Sequence, residues 1–303
     1  MISVCLATKN RPEKLRQCLK AILNNTFQRF EIILIDQSDT HTTKGLITQL
    51  QSKKIRYFKM NTTGKAKALN LAIKKAKYEL LAFTDDDCVV AKDWIKTIHD
   101  TYKKFPHIAG IFGNTLAYPT KRSGAWICPA TFQSTSVRFF SNPSIIHYQV
   151  LGQGNNMSLK KSIIISVGMV KEWLGVGSIA KAGEESELIF RILTNKNILM
   201  TNPNMVAYHN RWLSKNEYQF QESAYTRGLF AFYAYYFSTS YGAMTSTMMC
   251  QRIQERLVIH LRYMKHNPSI KALIKTSYLS LHELVSGIYG TGIGITKRIL
   301  NTV

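Results

Sequence analysis

The chain has 303 residues, 45% of them apolar, with 40 Lys and Arg against 18 Asp and Glu, a formal charge of +22. That length and apolar share fit one large domain, or a domain with an appendage, and the charge suits a polyanionic partner such as a sugar nucleotide, an anionic lipid or a nucleic acid. Cys5, Cys18, Cys88, Cys128 and Cys250 have no metal-ligand spacing, which excludes a zinc-finger arrangement and fits inert thiols in a reducing compartment.

Residues 2–7 are mostly apolar and suit a buried strand, so no signal peptide is expected. Thr8, Asn10 and Arg11 form a polar turn, and Pro12 opens a helix whose apolar face is Leu15, Cys18, Leu19, Ile22 and Leu23. A second strand runs from Phe30 to Ile35 and ends at Asp36, and a short third spans Ile55 to Phe58. Ala66, Leu69, Ala72, Ile73 and Ala76 mark a second helix, Glu79 to Phe83 a fourth strand, Trp94, Ile95, Ile98 and Tyr102 a third helix, and Ile108 to Phe112 a fifth strand. This alternation predicts an α/β fold, a parallel sheet with helices on both faces, in which ligands bind at the carboxyl ends of the strands. Residues 116–152, with Pro119, Pro129 and Pro143, read as a connection over the site. Regularity returns at Gly152 and continues to Trp212, and from Glu217 the pattern is helical. The longest apolar-rich stretch, Gly228 to Met244, contains Ser238, Thr239 and Ser240 and is short for a bilayer span, so no transmembrane helix is expected.

The fourth strand runs into Asp85, Asp86 and Asp87. Like charges side by side after a buried strand call for positive charge among them, and a hard divalent cation, Mg²⁺ or Mn²⁺, supplies it. A solvated acidic turn is the alternative. A second acidic cluster, Glu184, Glu185 and Glu187, precedes Leu188, Ile189 and Ile192 at helical spacing. The helix dipole alone favours acids in a first turn, so a structural role is the alternative there.

Taken in order, these pieces resemble glycosyltransferase family 2, enzymes of the GT-A fold, over roughly residues 2–212. The resemblance rests on Val4 to Pro12, on Leu34 to Asp39, on Gly64 to Asn70, on the three aspartates, and on the later acidic cluster. It implies a catalytic domain over 1–213, with a nucleotide-binding half to about 115 and an acceptor half from about 116, followed by a helical extension over 214–303. Thr8, Asn10, Arg11 and Asp36 would line the nucleoside pocket, Lys65 would approach the diphosphate, and Asp85 and Asp86 would complete the donor site. Helix capping is the alternative for Thr8 and Asn10, and a solvated helix position for Lys65. Asp87 would ligate the metal directly, Asp85 would stand nearer the ribose or reach the ion through water, and His209 would join as a ligand, a structural histidine being the alternative. Glu185 would be the catalytic base, and Asn155, Asn156 and Glu184 would meet the acceptor. Gln37 stands where relatives often carry an acid, Leu69 where they often carry Arg, and Glu185 where Asp is commoner. Polymerising relatives carry Gln-x-x-Arg-Trp, but Arg211 and Trp212 here follow Tyr208, so single-sugar transfer is expected.

The implied function is metal-dependent, inverting transfer of one sugar from a nucleotide-sugar, with UDP-sugars favoured, to a glycan or lipid-linked acceptor in cell-surface polysaccharide synthesis. A nucleotidyltransferase, a basic nucleic-acid-binding protein and a non-catalytic sugar-nucleotide sensor are the rivals. The dispersed charge and the lack of a recognisable module speak against nucleic acid. Behind Trp212, Ile253, Leu257, Val258, Leu261 and Met264 make an apolar stripe with Arg252, Arg256, Arg262 and Lys265 facing elsewhere, and Leu279, Leu281, Leu284, Val285 and Ile288 mark a last helix. Such basic amphipathic helices suit an anionic membrane surface, which places the chain in the cytoplasm with contact at the inner face of the cell membrane. Packing on the catalytic domain, or on a second subunit in a homo-oligomer, is the alternative.

Overall fold

The computed structural model describes residues 1–119, 127–145, 151–266 and 270–301, the side chains of 259–281 excepted. The basic pair Lys121 and Arg122, parts of the 116–152 connection, and the side chains of Leu261, Arg262, Met264, Lys265, Leu279 and Leu281 lie outside the described residues.

Two compact units are present: residues 1–172 with 185–214, and residues 173–184 with 215–303. The first is built on a nine-stranded sheet. Strands β1 (Ile2–Thr8), β2 (Phe30–Asp36), β3 (Ile55–Lys59) and β4 (Leu80–Thr84) pair in parallel in the order β3-β2-β1-β4. Every residue of β2 is buried and β1 is nearly so, as continuous apolar strands covered on both faces require. The covering helices on the way are α1 (Pro12–Leu23), α2 (Thr42–Leu50), α3 (Lys65–Lys75) and α4 (Trp94–Lys104). Two apolar clusters result, one holding Leu69, Ala72, Ile73 and Phe83 and the other Leu15, Leu19, Ile22, Trp94 and Ile98.

The parallel run stops at β4. Strand β5 (Cys88–Val90) follows the aspartates, and the fifth strand expected over 108–112 is β6 (Gly110–Ala117), which does not lie beside β4. After the short β7 (Arg138–Phe140), strand β8 (Asn156–Lys160) inserts antiparallel between β4 and β6. Helix α5 (Lys161–Ser166) and helix α6 (Glu184–Thr194) lead to β9 (Leu199–His209), parallel to β6 and antiparallel to β5 and β7. The sheet is therefore mixed, because chemistry-bearing turns are brought to one rim from both strand directions.

Helices α7 (Lys215–Tyr235), α8 (Gly242–His266) and α9 (Ile270–Leu300) make up most of the second unit. Helix α9 comes close to α7 at Gly290 and Gly294, where an added Cβ would lie 2.2 Å from the carbonyl oxygens of Arg227 and Ala231. On helix α8 Arg252 and Arg256 face inward, whereas Ile253, Leu257 and Val258 face out. Arg252 is 3% exposed, whereas Ile253, Leu257 and Val258 are 41%, 53% and 44% exposed. The cause is an ionic cluster across the three helices. Glu222 of α7 accepts from Arg256 Nη1 at 2.6 Å and lies 3.4 Å from Arg252 Nη2, and Arg256 also grips Glu283 of α9 with two nitrogens. Removing one partner strands buried charge, so Glu222→Ala is expected to destabilise this unit by about 3 kcal/mol in urea unfolding, while exposed Leu257→Ser is expected to be near neutral.

Candidate active site

Parallel pairing places Thr8 of β1 beside Asp36 of β2, and β4 ends next to them at the aspartates. The carboxyl ends of three strands thus converge, as the topology dictates. Thr8 Oγ1 donates to Asp86 Oδ2 at 2.7 Å. Asn10 sits at φ +56°, its N–H donating to Ser38 Oγ at 2.8 Å and its side chain exchanging bonds with Asp39. Neither residue caps α1, whose N-cap is Arg11. Asp36 is fully buried and accepts from the Ser38 N–H and the Tyr57 hydroxyl, both at 2.8 Å. These bonds brace the turn that follows β2. Gln37 donates to the carbonyls of Thr62 and Gly64 and so fastens the turn that launches α3.

The three aspartates diverge. Asp86 is 4% exposed, held by Thr8 and by Arg11 Nη1 at 3.2 Å. Asp87, equally buried, meets Arg11 Nη1 at 2.7 Å and His209 Nε2 at 3.4 Å. Asp85 turns to Lys65, whose Nζ lies 3.0 Å from Asp85 Oδ1 and 3.0 Å from Glu185 Oε1. That single ammonium joins the two acidic clusters, which stand exactly a hundred residues apart at Asp85 and Glu185 in the sequence. Glu185 fits only because residue 154 is Gly: an added Cβ there would lie 2.3 Å from Glu185 Oε1 and 2.4 Å from its Cγ. Glu187 and Arg191, one helical turn on, form a buried two-point pair at 2.8 and 2.7 Å that anchors α6.

The metal question turns on His209. Its Nδ1 lies 2.7 Å from the Pro129 carbonyl oxygen, which can only accept, so Nδ1 carries the proton and Nε2 points at Asp87. Strand pairing sets Cys88 opposite His209, and among the described residues Asp87, Cys88 and His209 form the group able to hold a metal ion, with ligand atoms within 4.8 Å of one another. An oxygen and an imidazole nitrogen suit Mn²⁺ and leave positions for phosphate oxygens, so the residues fit a divalent ion. Asp85 stands outside this group, beside Lys65. Burial alone would lower the His209 imidazole, but the Asp87 carboxylate, helped by Cys128, lifts it to about 10. Burial raises Asp87 in turn, and the hydrogen bond and charge of His209, with Arg11, outweigh it and hold the carboxyl well below its usual range. Burial pushes the Cys88 thiol upward.

The expected acceptor residues are differently employed. Asn156 is fully buried; its Oδ1 accepts from Trp94 Nε1 at 2.7 Å and its Nδ2 donates to the Asn114 and Met205 carbonyls. Asn155 accepts from Thr115 Oγ1 at 2.9 Å and donates to the Ala130 carbonyl at 3.2 Å. Both amides lock β8 in place. Glu184 is buried, its carboxyl packed close to Gly175. Gly154 and Gln37 had no assigned function in the sequence, although Gly154 lies in the run that marked β8.

Residues 3–149 match the family model described as Glycosyl transferase family 2. This stretch, just under half of the chain, carries a family 2 glycosyltransferase domain. The UDP-Glc:alpha-D-GlcNAc-diphosphoundecaprenol beta-1,3-glucosyltransferase WfaP of Escherichia coli is 24% identical over 212 residues, covering 70% of this chain and 77% of its own. The first sequence relatives match over short stretches, 13% to 34% of their own length. The structure of S. aureus TarS 1–349 in complex with UDP-GlcNAc superimposes with a TM-score of 0.62 at 11% identity, covering 98% of this chain and 91% of that one. The mannosyltransferase PcManGT from Pyrobaculum calidifontis, in complex with GDP-Man and Mn²⁺, gives 0.61 at 14% identity, covering 100% and 88%. These likenesses establish the GT-A fold.

Asp86 supplies a pH test of the site. Burial lifts its carboxyl to about 6, against the pull of Arg11 and Thr8 and with the push of Asp87. A folded value above the unfolded one means that its contribution to stability is full below pH 3.8 and lost as pH rises through 6. In metal-free protein, Asp86→Asn is therefore expected to gain up to roughly 3 kcal/mol at about pH 8 and nothing below about pH 4, read as the difference between melting curves at the two pH values.

Proposed function

We propose that this chain is a metal-dependent, inverting glycosyltransferase that moves one sugar from a UDP-sugar to a glycan or lipid-linked acceptor in the assembly of a surface polysaccharide. The observation that carries this reading is the Lys65 ammonium spanning Asp85 and Glu185, because it sets the donor-side and acceptor-side acids in one cleft. The UDP preference and the lipid-linked acceptor follow the printed substrates of WfaP and the UDP-GlcNAc complex of TarS. The GDP-Man and Mn²⁺ bound to PcManGT support the metal and leave the base less narrowly defined.

Asp87 and His209 Nε2 would hold the ion, which when bound supplies positive charge for the leaving diphosphate. Arg11, already against Asp86 and Asp87, keeps the acids ionised around it. Glu185 takes the proton of the acceptor hydroxyl as that oxygen bonds to the anomeric carbon. The bond from that carbon to the diphosphate oxygen breaks, and the nucleoside diphosphate leaves with the electron pair. One displacement inverts the anomeric centre.

A panel of sugar nucleotides, scored for metal-dependent release of the nucleoside diphosphate, tests this directly. Glu185→Gln is expected to lose at least about 10² in transfer while still binding nucleotide, and Asp87→Ala to lose Mn²⁺-dependent nucleotide binding. Full turnover by either variant contradicts the roles, and release of pyrophosphate instead identifies a nucleotidyltransferase.

The helical unit favours a second element of the reading. No helix among the described residues is long and apolar enough to cross a membrane. Yet Leu284, Val285, Ile288, Ile295 and Ile299 of α9 are 43% to 63% exposed, besides the outward stripe of α8. With a net charge of +22, this apolar face suits the anionic inner surface of a membrane, with a homo-oligomer as the competing cover. The protein is expected to float with vesicles containing phosphatidylglycerol at low salt and to lose that binding with Ile288→Ser. A protein that stays at the bottom and sediments as a dimer supports the oligomer instead.

A further inference from the structure

We propose that Lys65 is a positioning residue that latches Glu185 until the donor arrives, an inference that rests on the glycosyl-transfer reading above. Lys65 opens α3 immediately after Gly64, whose φ of +137° starts the helix. Its ammonium stands 3.0 Å from both Asp85 Oδ1 and Glu185 Oε1, with the side chain 20% exposed, against 31% for Asp85 and 22% for Glu185. The pair is accessible enough to exchange partners and covered enough to form. A carboxylate that holds an ammonium has its lone pair engaged and is a poor proton acceptor. So the structure shows the base occupied.

The two partners differ in freedom. Glu185 lies over Gly154, in space that any side chain there would fill, and its shorter stem has fewer rotatable bonds than that of Lys65. The four-carbon stem of Lys65 is the flexible member. A diphosphate brought into the cleft offers more charge and more oxygens than two shared carboxylates, so it draws the ammonium off Glu185 Oε1. That releases Glu185 Oε1 from the ammonium, and Glu185 takes the proton of the acceptor hydroxyl in the displacement described above. The latch therefore orders events: the base becomes competent only once a nucleoside diphosphate is seated, and an acceptor or water entering first meets an engaged carboxylate.

Competition between phosphate and Glu185 for one ammonium has a signature in binding alone. With Mn²⁺ present, calorimetric titration of UDP, with GDP and dTDP alongside, is compared for the wild type, Glu185→Gln, Lys65→Met and the double variant. Glu185→Gln is expected to bind the nucleotide about fivefold more tightly, the worth of one part-exposed ion pair. The same substitution in the Lys65→Met background is expected to change nothing. Should Lys65→Met fail to fold by its melting curve, Lys65→Gln takes its place. Unchanged affinity in Glu185→Gln overturns the latch, and so does equal tightening in both backgrounds, which is direct repulsion between Glu185 and phosphate. Loss of binding for all three nucleotides in the wild type refutes the glycosyl-transfer reading itself, whereas binding without coupling between Lys65 and Glu185 refutes the latch alone.

Discussion

Acidic groups gathered at one rim of a sheet are tolerable only with cations placed among them, and this constraint organises the front of the protein. Asp86 and Asp87 are both buried, and Asp85 and Glu185 share Lys65 as a neighbour. Uncompensated, such charges would be protonated or the rim would open. Arg11 serves Asp86 and Asp87, His209 serves Asp87, and Lys65 serves Asp85 and Glu185. Each cation comes from a different element: the turn after β1, the end of β9 and the start of α3. The rim therefore exists only when these elements are assembled, so the fold and the charge balance of the site are one problem.

The mixed sheet follows from the same need. Helix α6 must deliver Glu185 to a rim otherwise built from parallel strand ends. Strand β8, running antiparallel between β4 and β6, brings Gly154 to the same place. Asn156 holds β8 there by tying Trp94 of α4 to the carbonyls of β6 and β9. The Asn156 amide is thus the fastening that keeps β8, and Gly154 ahead of it, in register.

Much of this was legible in the chain. Continuous apolar runs ending in Thr8, Asp36 and Asp85 gave the parallel strands and the edge on which a ligand would sit, since periodicity and strand polarity are local properties. The short amphipathic α2 escaped notice because its apolar spacing is weak, and the insertion of β8 because pairing partners are not written in local pattern. Which way a side chain turns was equally hidden. Asp85 and Asp87 are two residues apart yet serve different cations, and Asp36 looks inward. The inward turn of Arg252 and Arg256 was hidden too, since the acids that draw them, Glu222 and Glu283, lie on other helices. Charge pairing across elements overrode the amphipathic pattern of a single helix.

The central claim is that one cleft holds the ion, the diphosphate and the base. Crystals soaked with Mn²⁺ and UDP, measured for anomalous scattering of manganese, test it most directly. The account predicts a single manganese peak bound by Asp87 and His209 Nε2, completed by diphosphate oxygens, with Glu185 facing the same cavity. Manganese or nucleotide seated elsewhere, with Glu185 opening on a separate surface, would contradict it.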